Sequence, residues 1–77
     1  MAHIDKLIAK MKNQPNGITF NEASKVLEAK GYIFIRQKGS HCQFVNDINK
    51  SRLTIPSSPS PIKRVYVTEI LRHIGEQ

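Results

Sequence analysis

"GYIFIRQKGSHCQF", residues 31–44, decides how this chain folds. Tyr32 to Gln37 is rich in aromatic and β-branched residues, which favour a strand. Lys38-Gly39-Ser40 is a short connection, and His41 to Val45 reads as the returning arm of a hairpin. Such a turn needs its glycine but not a histidine straight after it. Side chains alternate along a strand. With Cys42 and Phe44 turned toward a core, His41 and Gln43 face the other way. The first arm is ambiguous, because both faces of "YIFI" are apolar.

Working outward, "NDINK" (46–50) is a turn cluster and "SRLTI" (51–55) alternates polar and apolar as a third strand. Leu53 and Ile55 inward put Arg52 and Thr54 outward. "PSSPSPIKR" (56–64) carries three prolines and no periodicity, so it is a loop. Val67, Ile70, Leu71 and Ile74 then return to helical spacing, with Gly75 as the stop. On the N-terminal side, Thr19 is the expected N-cap of a helix, and Glu22 completes a capping box. Phe20, Ala23, Val26 and Leu27 line its apolar face, and Gly31 ends it. Before it, Ile4, Leu7, Ile8 and Met11 follow the i, i+3, i+4, i+7 pattern of another helix that stops at "NQPNG". The expected order is α-α-β-β-β-α, an α+β fold with a three-stranded antiparallel sheet and helices on one face only. The other face, with His41, Gln43 and Arg52 on it or at its edge, is open to solvent.

A chain of 77 residues is expected to form one domain, 1–77. At about this size only some 60% of the unfolded surface is buried, so chemistry belongs on a surface or in a shallow groove. No apolar run approaches the roughly 20 residues of a membrane span. The N-terminus lacks the apolar core of a signal peptide, and one cysteine forms no internal disulfide. A cytoplasmic location is expected. His3, His41, Cys42 and His73 form no spaced ligand pair, so neither a metal site nor a cofactor is expected. Cys42 reads as core filling, and His73 suits the C-terminal end of a helix dipole.

Charge is segregated. The chain carries a net +6, and the stretch 30–64 carries all of it. Its cations are Lys30, Arg36, Lys38, Lys50, Arg52, Lys63 and Arg64, against Asp47 alone. Such a footprint suits a polyanion. A histidine has an ordinary pKa near ~6.5 and can accept and donate protons at neutral pH. Beside Lys38 and Arg36, His41 is the candidate general base for a ribose 2′-hydroxyl. Arg36, Lys38 and the Gly39–Ser40 amides would steady the charge on the phosphoryl oxygens. RNA brings its own nucleophile, so this chemistry calls for no metal. A histidine that only binds, or is incidental, remains open on the residues alone.

The stretch 31–44 also resembles the signature of the HicA family of toxin–antitoxin ribonucleases. The likeness lies in Gly31-Tyr32, Arg36-Gln37, Gly39-Ser40-His41 and Phe44, and extends through "LTIP" (53–56) and "VYVTEILRHIG" (65–75). It implies a double-stranded-RNA-binding-domain-like fold and an mRNA-cleaving endoribonuclease toxin with His41 catalytic. It also implies a HicB-like antitoxin that covers the active surface, commonly as a hetero-oligomer. Two departures stand out. Many relatives carry a second histidine shortly after the third strand's proline, where this chain has Ser57 and Ser58. The helix and turn in 1–17 also precede the usual family start, leaving 18–77 as the core.

The leading expectation is thus a metal-independent endoribonuclease. His41 acts as acid or base, and RNA is held by Arg36, Gln37, Lys38, Gly39, Ser40, Lys50, Arg52, Lys63 and Arg64. A non-catalytic RNA-binding domain explains the charge and the fold equally well. A protein-interaction domain using the open sheet face is a third reading.

Overall fold

The computed structural model describes residues 3–58 and 61–75. Helix α1 spans His3–Asn13 and buries Leu7, Ile8 and Met11 of the predicted apolar stripe, with Ile4 partly buried against the same core. A single 3₁₀ turn, Pro15–Gly17, follows where the sequence suggested only a turn. Helix α2 spans Phe20–Ala29. Its capping box forms as expected: the Glu22 amide donates to Thr19 Oγ1 at 3.2 Å, and the Thr19 amide donates to Glu22 Oε1 at 3.0 Å. Gly31 adopts φ +92°, the left-handed conformation that ends the helix without a Cβ penalty.

Three strands come next: β1 Tyr32–Lys38, β2 His41–Asn46 and β3 Arg52–Pro56. They pair antiparallel in the order β1-β2-β3. Helix α3 spans Arg64–His73, one residue earlier than the loop assignment implied. Residues 59 and 60 of the expected loop lie outside the described residues. The order is therefore α-α-β-β-β-α, an α+β fold.

Side-chain alternation divides the sheet into two faces. Tyr32 pairs with Asn46, Phe44 with Leu53, and Cys42 with Ile55, and all six are buried. All but Asn46 share one core with Met11, Ile18, Ala23, Val26, Leu27, Ile62, Val67 and Ile70 from the helices and connections. α1 joins this core directly, and Lys10 Nζ reaches Glu22 on α2 at 2.8 Å. That contact, with the Thr19 hydrogen bond, holds the Glu22 carboxyl below the usual glutamate range.

The ambiguous first strand resolves through a bulge. Its register shifts between Phe34 and Arg36, so Ile35 has no partner on β2. Phe34 stays on the helix side, edge-on to Phe44 with ring centres 5.6 Å apart. Ile33, Phe34 and Ile35 are each about half exposed (50%, 46% and 47%) on this sheet edge.

Candidate active site at the end of the sheet

The bulge sets which β1 side chains join the open face. Beyond it, Arg36 pairs with Gln43 and Lys38 with His41. On the far side of β2, His41 pairs with Pro56, Gln43 with Thr54 and Val45 with Arg52. The face away from the helices is therefore built in rows. Lys38, His41 and Pro56 form the terminal row, Arg36, Gln43 and Thr54 the next, and Ile33, Val45 and Arg52 the third. His41 is exposed and its neighbour Cys42 is buried, as alternation along the strand required. Directly opposed Cβ atoms lie roughly 5 Å apart, so Lys38 is the nearest cation to the imidazole by register, and Arg36 is diagonal to it.

Local bonds fix this row. Gly39 takes φ +61° in the turn, and Gln37 donates its side-chain amide to the Gly39 carbonyl at 2.9 Å. The Ser57 amide donates to the Ser40 carbonyl at 2.6 Å, tying the turn to the chain as it leaves β3. Farther along, the Ile62 amide donates to the Ile18 carbonyl at 2.9 Å, and Ile62 is buried. The segment between β3 and α3 is thus pinned at both ends. Ser58 and Lys63 from this segment help to wall a cavity of about 230 Å³, with Ser40, His41, Pro56 and Tyr66.

The remaining predicted residues divide by position. Ser40 and Lys63 line the cavity with His41. By register Lys38 lies opposite His41 and Arg36 diagonal to it on the open face, with Gly39 and Gln37 shaping the turn. Arg64 is exposed on the first residue of α3, next to Lys63. Arg52 lies in the third row, toward the far end of the sheet. Lys50 is not brought to the site. It lies beyond the opposite end of β2, five strand steps or roughly 17 Å from His41. Its ammonium donates to the Asp47 carbonyl at 2.9 Å.

Three wall residues went unassigned at the level of sequence: Pro56, Ser58 and Tyr66. Ser58 stands where the resemblance led one to expect a histidine, and Tyr66 is a half-buried aromatic in the first turn of α3. Tyr66 lies one place off the apolar spacing that starts at Val67, two places after the basic pair Lys63-Arg64, and that offset was the available signal. Cys42 is core, as expected, and His73 bonds the Glu69 carbonyl within its own helix through Nδ1. Among the described residues, no three His, Cys, Asp or Glu side chains gather in a metal-holding group. No described helix is long and apolar enough to cross a membrane.

Residues 20–76 match the family described as the HicA toxin of bacterial toxin–antitoxin systems. The chain belongs to the HicA toxin family. It is accordingly the toxin of a toxin–antitoxin system, with an antitoxin as its partner. Comparison with curated proteins and with solved structures returned no match. The matched stretch begins at Phe20, so α1 and the 3₁₀ turn lie ahead of it, although α1 is part of the same core.

Proposed function

We propose that the toxin is an endoribonuclease that cleaves mRNA in the cytoplasm, with His41 as its catalytic acid–base and no metal in the reaction. In this reading residues 1–77 act as one domain and a HicB-like antitoxin covers the site in a hetero-oligomer. The observation that carries the proposal is an exposed imidazole in a cationic row, directly across the ladder from Lys38 and on the wall of a cavity with Lys63.

The chemistry follows from those groups. Neutral His41 takes the proton of a ribose 2′-hydroxyl, and the 2′-oxygen attacks the adjacent phosphorus. The bond from phosphorus to the 5′-oxygen breaks, leaving a cyclic 2′,3′-phosphate, and the departing oxygen takes a proton from the Lys38 ammonium or from water. Lys38, Lys63 and Arg36 offset the charge that builds on the phosphoryl oxygens. Arg52 and Arg64 add non-specific attraction for the phosphate chain.

The test compares wild type and His41→Ala on total RNA with chelator present. Cleavage by the wild type, with salt-sensitive binding but no cleavage by His41→Ala, is the expected result. Equal cleavage by both proteins defeats the assignment. RNA binding without cleavage by either leaves a non-catalytic RNA-binding domain.

A further inference from the structure

The cavity beside His41 is unusual in its make-up. One wall is the half-buried ring of Tyr66, whose inner side packs against the hydrophobic core. Pro56 adds a second apolar surface, Ser40 and Ser58 contribute polar atoms, and Lys63 a cation. Drug-sized ligands occupy clefts of roughly 300–1,000 Å³. A space of about 230 Å³ suits a single flat unit of a longer chain. Tyr66 is also held rigidly, because it rides on α3, where its amide donates to the Lys63 carbonyl at 3.0 Å.

Resting on the ribonuclease reading, we propose that this cavity is a nucleobase subsite. Tyr66 stacks on one unpaired base next to the scissile phosphate, and Lys63 holds the phosphate that flanks it. An aromatic face with an adjacent cation is how single strands are gripped, because every base has a π-face to offer. A base inside a duplex has both faces covered by its neighbours and shows only its edges in the grooves. The subsite therefore selects unpaired RNA, although the open sheet face by itself would accept any phosphate backbone. Stacking tolerates all four bases, so Tyr66 imposes strandedness rather than a sequence. Because His41 shares the cavity wall, a base seated on Tyr66 brings its own ribose and phosphate to the imidazole.

Binding is measured in the His41→Ala background with a short fluorescein-labelled single-stranded RNA and a blunt duplex of the same sequence. Tyr66→Leu, which keeps an apolar stem on the core, is expected to weaken single-strand binding roughly tenfold and leave duplex binding unchanged. Tyr66→Phe keeps the face and should bind like the parent. In the catalytically intact protein, Tyr66→Leu should raise KM by a similar factor with little change in kcat. NMR of the unsubstituted chain titrated with adenosine 5′-monophosphate gives a readout that needs no variant: the Tyr66 ring signals move and those of buried Tyr32 do not. Unchanged single-strand binding by a Tyr66→Leu protein with wild-type melting overturns the subsite, as do immobile Tyr66 signals. If His41→Ala is inert and Tyr66→Leu cleaves normally, the nuclease stands and the subsite falls. If the wild type cuts nothing, yet Tyr66→Leu loses single-strand binding, the subsite stands and the nuclease falls.

Discussion

Strand β2 meets a tight turn at each end, and the two turns use their polar groups differently. At the Asn46 end the groups satisfy one another. The Asn46 side chain accepts from the Ile48 and Asn49 amides at 2.9 and 3.1 Å and donates to the Lys30 carbonyl at 3.3 Å. Ser51 donates to Asn49 Oδ1, and Lys50 is tied to Asp47. At the His41 end the bonds go to the backbone: Gln37 donates to the Gly39 carbonyl, and the Ser57 amide and hydroxyl both donate to the Ser40 carbonyl. Among the described residues, no hydrogen bond or ion pair engages the side chains of Lys38, His41, Lys63 or Tyr66. One turn ties its polar side chains into the fold, and the other has its frame fixed while the His41 side chain stays exposed.

Exchanging the two ends in mutagenesis is the sharpest way to break that contrast. His41→Ala should lower kcat on RNA by about a hundred- to ten-thousandfold. The same change should move stability by no more than about 0.5 kcal/mol in urea unfolding, since the residue is exposed. Asn46→Ala should do the reverse. It strands the Ile48 and Asn49 amides and the Lys30 carbonyl in a partly buried turn, at a loss of about 1–3 kcal/mol. The folded fraction should keep its wild-type kcat, and a catalytic loss in Asn46→Ala at full folding would merge the two ends into one site.

A finer division concerns the lysines. Lys38→Ala should weaken binding of single-stranded RNA and reduce the slope of log K against log salt by about 0.7, one phosphate contact. Lys50→Ala, at the other end and already held by Asp47, should leave the slope nearly unchanged. Equal slopes for the two variants would mean that RNA covers the whole face rather than one end of it.

The smallest effect belongs to neither turn and serves as a baseline. Glu22 is held below the ordinary glutamate range by Lys10. Its contribution is therefore present above the unfolded pKa and is lost as pH falls through the lowered folded value. Stability of the wild type should drop relative to Glu22→Gln on acidification below about pH 5, by no more than about 1 kcal/mol for so exposed a pair. RNA cleavage per folded molecule should not respond.

Most of the frame could be read from local rules. Thr19 and Glu22 announced their capping box, Gly31 its left-handed stop, and the parity of β2 put Cys42 inside and His41 outside. These features depend on residues a few places apart. The bulge at Ile35 was not legible, because a strand apolar on both faces gives no parity to follow. Nor was the cavity. It exists because Ser57 reaches back to Ser40 and Ile62 to Ile18, contacts that join separate stretches of chain. The basic stretch foretold a cationic surface but not that Lys50 would lie at the opposite end from His41, since charge counted along a sequence carries no register.

The irregularity in β1 has a colloidal consequence. Consecutive half-exposed Ile33, Phe34 and Ile35 on a sheet edge would ordinarily invite copies of the molecule to zip together into fibrils. The extra residue breaks the even spacing in the middle of that stretch, and an incoming strand meets a mismatch where it would need continuity. Deleting Ile35 is expected to straighten the ribbon and raise the protein's tendency to precipitate on standing.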